Sequence, residues 1–189
     1  MIKIGIVGGI GSGKSYIAKH FGYPVFNADV EVNKIYKKNK KIFKKLNKKL
    51  PDHISSFPID KLEVTKAILS NKFNLKIIIK IVHDEIRKKI KLFVKKNKNK
   101  KIVILDIPLL LENKINNKSD ILVFVESKKE DIEKRIKKRV NFNRRLFNKF
   151  KKIQYSKSYK KRKSDFIIKN DFTKKSVKRG IRNILDKIQ

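Results

Sequence analysis

A glycine-rich run near the N-terminus holds the residues best suited to chemistry, and it reads Gly-Gly-Ile-Gly-Ser-Gly-Lys-Ser. Glycines allow successive backbone N–H groups to turn inward around phosphate oxygens. In such a loop Lys14 reaches the β- and γ-phosphates of a nucleotide, and the hydroxyl of Ser15 is a ligand for Mg²⁺. A dinucleotide fingerprint is excluded, because it requires a third glycine where Lys14 stands. The sequence therefore predicts a nucleotide site with Mg²⁺, formed by Gly8, Gly9, Ile10, Gly11, Ser12, Gly13, Lys14 and Ser15.

Two aspartates follow apolar runs that are typical of strands. In an open α/β sheet, ligands bind beyond the carboxyl ends of the strands, so both carboxylates are expected near the phosphates. Asp29 could accept the proton of an attacking hydroxyl. It could equally cap a helix that begins at Val30. Asp106 could bind Mg²⁺ or its water shell, or it could cap the end of its strand.

Few basic residues stand out by their position. Arg135 and Arg139 lie four residues apart on one face of a predicted helix, beside a lysine-rich segment. They are candidate phosphate clamps, and the alternative is a solvated helix face. His83 lies within a helical pattern, where a single histidine is more often a packed or capping residue than a catalyst. No cluster of acidic residues and histidines offers ligands for a transition metal, so Mg²⁺ held with the nucleotide is the metal implied.

These side chains need a scaffold, and the apolar pattern predicts an α/β fold. Continuous apolar runs separated by helices indicate a parallel sheet covered on both faces. Helical spacing extends from residue 30 to about 99 and is broken at residues 51–58. Further helices are expected at 14–21, 130–139 and 176–188, with helices and a mobile segment at 140–162. The five strands are expected at residues 2–7, 23–26, 102–105, 121–125 and 166–168.

The composition is strongly basic, with 52 lysines and arginines against 17 acidic residues and a net charge of +35. Lysine accounts for 44 of the 52, spread along the chain in company with asparagine and isoleucine. Nucleic-acid recognition favours the planar fork of arginine, so compositional drift in an A/T-rich genome is favoured over polyanion binding, which stays open. The lack of cysteine excludes disulfides and is consistent with a reducing cytoplasm. No apolar run approaches the ~18 residues of a membrane-spanning helix.

In order and spacing, these features resemble the dephospho-CoA kinase family over nearly the whole chain. After the glycine loop, the family's Asp-Ala-Asp signature is matched by Asn27-Ala28-Asp29 except at its first position. The family's His-Pro pair is matched by His83 but not by Asp84. Tyr16 stands where the family usually has Thr, and residues 171–172 replace an Asn-Gly type of turn. Further matches are the Asp-Ile-Pro-Leu-Leu-Leu-Glu segment at 106–112, the lid arginines Arg135 and Arg139, Gln154, and the last strand at 165–170.

This resemblance implies a P-loop kinase fold and ATP-dependent phosphorylation of the ribose 3′-hydroxyl of dephospho-CoA, with Mg²⁺ bound alongside ATP. It implies one domain with a core at 1–29, 100–139 and 163–189, a helical acceptor-binding region at about 30–99, and a lid at about 140–162. The alternatives are another nucleoside monophosphate or small-molecule kinase, and a basic nucleic-acid-binding protein in which the loop is a relic. No membrane partner and no specific nucleic acid are expected, and the oligomeric state is not indicated. The implied catalytic residues are Asp29, Lys14 and Arg139; Tyr16 and Arg135 contact the nucleotide; Asp29, His83, Asp106, Pro108, Leu109 and Glu112 contact the acceptor.

Overall fold

A parallel sheet of five strands forms the centre of the fold in the computed structural model, which describes residues 1–138 and 142–188. All pairings within it are parallel, and the order across the sheet is β2-β3-β1-β4-β5. The predicted α/β class with a five-stranded parallel sheet is thereby confirmed. The strands are β1 (Ile2–Gly8), β2 (Val25–Asn27), β3 (Ile102–Asp106), β4 (Ile121–Glu126) and β5 (Phe166–Lys169).

Helices connect the strands and cover the sheet. The predicted break at residues 51–58 lies between two of these helices and is confirmed. Within the residues described, no helix is long and apolar enough to cross a membrane. The helices are α1 (Lys14–His20), α2 (Ala28–Lys38), α3 (Lys40–Lys49), α4 (Lys61–Ser70), α5 (Lys72–Lys96), α6 (Lys129–Lys137), α7 (Arg144–Lys152), α8 (Lys157–Arg162) and α9 (Lys174–Ile188).

Side chains of the strands alternate between two apolar clusters, because successive residues of a strand point to opposite faces. Ile104 of β3 belongs to the cluster that includes α1 and α9. The next residue, Leu105, belongs to the other cluster, which extends through α2 to α5 and is approached by α7. The helical region between β2 and β3 therefore shares a core with one face of the sheet.

Candidate active site

The turn between β1 and α1 has the geometry that a phosphate-binding loop requires. Gly11 and Gly13 have φ angles of 83° and 90°, in the left-handed region that L side chains rarely adopt. Space is restricted as well, since a Cβ atom on Gly13 would lie 2.5 Å from Nδ2 of Asn170. A Cβ atom on Gly11 would lie 2.8 Å from Cδ1 of Ile136, a residue of α6. Glycine is therefore required here both by the backbone and by packing.

Two side chains from neighbouring strand ends hold this loop through one carbonyl oxygen. Nδ2 of Asn170 donates to the Ser12 carbonyl at 2.8 Å, and the hydroxyl of Ser127 donates to the same oxygen at 3.0 Å. Asn170 is only 3% exposed. It enters the sequence argument only as part of the last-strand motif, and no sequence signal marks Ser127. The loop is thus clamped from the carboxyl ends of β4 and β5.

Lys14 and Ser15 are the first two residues of α1, directly after the loop. Nζ of Lys14 donates to the carbonyl of Gly9 at 2.8 Å and to that of Gly8 at 3.3 Å. The ammonium group therefore lies across the loop, within reach of phosphates bound there. Ser15 is exposed at the second position of α1. Its hydroxyl is an oxygen donor, the type of ligand that Mg²⁺ prefers.

Asp106 is held by an amide from the neighbouring strand. The register of β2 and β3 places Asn27 opposite Asp106, and Nδ2 of Asn27 donates to Oδ2 of Asp106 at 2.7 Å. Asp106 is 3% exposed. Because Asn27 is an amide and not a carboxylate, it can give Asp106 a hydrogen bond. The asparagine at the first position of the Asp-Ala-Asp signature therefore gives the buried Asp106 side chain a hydrogen-bond donor.

Asn27 also caps α2, and the interpretation of Asp29 as the cap is therefore wrong. Oδ1 of Asn27 accepts a hydrogen bond from the backbone N–H of Val30 at 2.9 Å. The helix begins at Ala28, two residues earlier than expected, because the strand ends in a residue that can cap at once. Asp29 lies in the first turn of α2, and its side chain is exposed.

A cavity of about 420 Å³ lies between α5 and the segment that follows β3. His83, Leu109 and Glu112, three of the residues assigned to the acceptor, line it together. Leu109 has a φ of 58°, which is unusual for a residue other than glycine. The other three, Asp29, Asp106 and Pro108, do not line this cavity. Its other lining residues include the basic side chains Lys72, Lys76, Lys80 and Arg87.

His83 is the histidine of this cavity, and its environment favours the neutral imidazole. Burial, and secondarily the charge of Arg87, lowers the pKa of His83 below its usual 6.5. Nδ1 of His83 is buried and has no hydrogen-bond partner among the residues described. A neutral ring with an unsatisfied nitrogen is available to a polar group of a bound molecule.

The segment assigned to the lid contacts two parts of the chain, helix α4 and Glu112 in the segment that follows β3. Nζ of Lys149 in α7 donates to the carbonyl of Ile68 at 2.7 Å, near the end of α4. Oε1 of Glu112 accepts hydrogen bonds from the backbone N–H of Tyr155 at 2.9 Å and from Nζ of Lys160 at 2.8 Å. Helices α7 and α8 account for most of the predicted lid.

The remaining predicted nucleotide contacts lie around the loop. The guanidinium of Arg135 stacks over the ring of Phe172 at 4.4 Å from the ring centroid. The ring of Tyr16 is exposed on α1 and stacks on His20, with 4.0 Å between the centroids. Arg139 lies outside the described residues.

A glycine loop that joins the central strand of a five-stranded parallel sheet to a helix defines a P-loop kinase fold. The family model for dephospho-CoA kinase matches residues 2–176, so the chain belongs to the dephospho-CoA kinase family. A dephospho-CoA kinase of Wolbachia pipientis wMel is 33% identical over 190 residues, covering 98% of this chain and 97% of the relative. The crystal structure of TT1252 from Thermus thermophilus superposes with a TM-score of 0.76 at 24% identity, covering 100% of this chain and 98% of that one. Dephospho-CoA kinase from Campylobacter jejuni gives a TM-score of 0.61 at 24% identity, covering 99% and 97%.

Proposed function

We propose that this chain transfers the γ-phosphate of ATP to the ribose 3′-hydroxyl of dephospho-CoA, giving coenzyme A and ADP in the last step of coenzyme A synthesis. The observation that carries the proposal is the family match over residues 2–176. It agrees with the site, because a single side chain, Lys160, joins Gly8 at the start of the phosphate loop to Glu112 of a separate cavity of about 420 Å³. No covalent enzyme intermediate is required.

On the donor side, the loop amides and Lys14 would hold the β- and γ-phosphates. The Ser15 hydroxyl and the Asp106 carboxylate offer oxygen atoms, the ligands that Mg²⁺ prefers, and would hold the ion with the nucleotide. When bound, this ion supplies positive charge to the phosphate oxygens. Arg135, Arg139 and Tyr16 remain proposed contacts of the nucleotide.

On the acceptor side, positively charged side chains line the cavity and could bind the negatively charged phosphates of the acceptor. Lys76 and Lys80 on α5, together with Arg87, line it and match the anionic diphosphate of dephospho-CoA. The neutral ring of His83 can exchange a hydrogen bond with an uncharged polar group of the acceptor. Leu109 supplies an apolar wall, and Pro108 is assigned to the same segment.

In the chemical step, Asp29 accepts the proton of the 3′-hydroxyl while that oxygen forms a bond to the γ-phosphorus. The bond between the γ-phosphorus and the bridging oxygen breaks, and ADP leaves with that electron pair. Lys14 and the lid arginines offset the charge on the transferred group. The position of Asp29 in the first turn of α2, beside the carboxyl edge of the sheet, supports this role.

The domain division belongs to the same proposal. Residues 1–29, 100–139 and 163–189 would form the core, residues 30–99 the acceptor-binding region, and residues 140–162 the lid. The hydrogen bond from α7 to the end of α4 supports a lid that closes on the acceptor-binding region. A cytoplasmic location is proposed from the lack of cysteine.

The test is an ADP-release assay with ATP, Mg²⁺ and one acceptor at a time. Dephospho-CoA should support ADP formation far faster than adenosine, AMP, shikimate or no acceptor. Equal turnover with AMP would assign the chain to the nucleoside monophosphate kinases. Absence of turnover with every acceptor would overturn the proposal altogether.

A further inference from the structure

We propose that Lys160 is a positioning residue for phosphoryl transfer, which holds the Glu112 carboxylate of the acceptor cavity against the start of the phosphate loop. This inference rests on the function proposed above, because it concerns the same site. Lys160 carries no sequence signal that separates it from its basic neighbours.

Lys160 is buried although it lies in a basic helix. Its residue is 3% exposed, whereas the other lysines and the arginine of α8 are exposed. Burial of an ammonium group is unfavourable unless the group is paired and hydrogen-bonded. Nζ of Lys160 meets three oxygen atoms, and an ammonium group has three protons to donate. They are Oε1 of Glu112 at 2.8 Å, Oε1 of Gln154 at 3.3 Å and the carbonyl of Gly8 at 3.5 Å.

The three acceptors belong to three different parts of the site. Gly8 ends β1 and begins the phosphate loop, Glu112 lines the acceptor cavity, and Gln154 lies between α7 and α8. The same Glu112 oxygen also accepts from the backbone of Tyr155. A single ammonium group therefore joins the loop, the cavity and the lid segment.

The Gly8 carbonyl links Lys160 to the catalytic lysine of the loop. Nζ of Lys14 donates to this same oxygen at 3.3 Å. When Lys14 turns towards bound phosphates, Lys160 remains as a donor to the Gly8 carbonyl. The Gly8 carbonyl thus keeps a hydrogen-bond donor during the reaction. The distance between the Glu112 carboxylate and the loop is maintained by the same ammonium group.

Loss of this ammonium group would displace the acceptor relative to the γ-phosphate. The Glu112 side chain is 8% exposed, so its carboxylate depends on Lys160 for a counter-charge. A displacement of about 1 Å can reduce the rate on the order of 10²-fold. We therefore expect Lys160→Met to lower kcat by roughly that factor. The affinity for ATP alone should change by less than about threefold, because the loop amides hold the phosphates.

The experiment compares Lys160→Met, Lys160→Arg, Glu112→Gln and the double variant Lys160→Met/Glu112→Gln in full-length protein. ADP release is measured at saturating ATP and acceptor, and ATP affinity is measured by calorimetry without acceptor. Lys160→Arg keeps the charge and should recover at least about a tenth of the wild-type kcat, since it retains donors for the same oxygens. The double variant should be no slower than the slower single variant, because residues that act as a unit are not additive.

Lys3→Met is the matched control. Lys3 pairs with the buried Asp120 at 2.6 Å, close to the opposite end of β1. This variant breaks a comparable ion pair far from the loop, so it should lower the melting temperature and leave kcat unchanged. If Lys160→Met does not fold, the comparison is made in the Glu112→Gln background, where no unpaired carboxylate remains.

Four results would overturn the inference: an unchanged kcat in Lys160→Met, a loss confined to ATP affinity, a loss equal to that of Lys3→Met, or additive effects in the double variant. A wild type that does not phosphorylate dephospho-CoA would instead overturn the proposed function. In that case the same variants are measured with whichever acceptor supports ADP release, and the inference about Lys160 is decided there.

Discussion

Replacing Asp29 by asparagine separates catalysis from helix stability. Asn27 is the N-cap of α2, so the substitution leaves the cap in place. Asp29 is exposed, and its carboxylate lies in the first turn of the helix. An acidic group there contributes about 0.3–1 kcal/mol through the helix dipole. The free energy of unfolding should therefore fall by no more than about 1 kcal/mol.

The expected effect on rate is much larger. A general base contributes typically 10²–10⁴-fold, which corresponds to roughly 3–5 kcal/mol of activation free energy. A stability loss of about 1 kcal/mol is small against the roughly 5–15 kcal/mol by which native proteins are stable, so the variant should stay folded at the assay temperature. A fall in turnover can then be assigned to the chemical step.

Single-turnover phosphoryl transfer, measured by rapid quench with saturating acceptor, reports that step without product release. ATP affinity should be nearly unchanged, because the loop holds the phosphates independently of α2. A variant that keeps more than about a third of the wild-type rate, a smaller loss than any expected of a base, would refute the assignment. Asp29 would then be a positioning group, and Asp106→Asn would be the next variant to measure.

Other predictions follow from the same contacts. Asn27→Ala removes the cap of α2, which is worth about 1 kcal/mol. It also removes the hydrogen-bond donor to the buried Asp106, which is worth about 1–3 kcal/mol. The free energy of unfolding, measured by urea denaturation, should therefore fall by roughly 2–4 kcal/mol. Lys14→Ala should abolish ADP release and leave cooperative unfolding intact, because its ammonium group contacts loop carbonyls outside the core. The pKa of His83 is lowered by burial and by Arg87, so stability is complete above pH 6.5 and decreases as the pH falls below it towards the folded pKa. His83→Asn should accordingly flatten the dependence of melting temperature on pH between about 7.5 and 5.5. Nucleic-acid binding should be weak, independent of sequence and steeply salt-dependent, as measured by fluorescence anisotropy.

Each of these has a contradicting outcome. An Asn27→Ala variant as stable as the wild type would mean that Asp106 finds another donor. Loss of cooperative unfolding in Lys14→Ala would make that lysine a structural residue. An equal pH slope in His83→Asn would show that the histidine is protonated alike in the folded and unfolded chain. A specific duplex or RNA complex that survives about 0.2 M salt would contradict the assignment of the lysines to compositional drift.

The sheet and the loop could be predicted from the sequence because their signals are local. Strands β3 and β4 are continuous apolar runs up to their acidic last residues, which is typical of a parallel sheet buried on both faces. The loop depends on glycines and a lysine at fixed spacing. The acceptor residues are assigned by family resemblance alone. Three of them, His83, Leu109 and Glu112, line one cavity, and the other three do not.

The parts that could not be predicted depend on contacts between distant residues. Lys160 is buried because tertiary packing brings it to Glu112. Nothing in its sequence neighbourhood distinguishes it from the other lysines among the 44, so it could not be singled out. Ser127 and Asn170 act through the carbonyl of Ser12, and a backbone oxygen has no sequence signature. The sequence predicts the start of α2 at Val30 with Asp29 as one possible cap, whereas the helix begins at Ala28 and is capped by Asn27. Both residues are good caps, so the local pattern does not distinguish them.

The clamp on the Ser12 carbonyl has a consequence for the order of folding. Ser12 and Asn170 are 158 residues apart in sequence, and β5, which Asn170 follows, is one of the two edge strands of the sheet. During synthesis the phosphate loop emerges early but receives this hydrogen bond only after β5 has docked on β4. Nucleotide that binds the clamped loop then stabilises the edge strand by linkage. Hydrogen exchange in β5, far along the chain from the phosphates, should therefore slow when ATP is added.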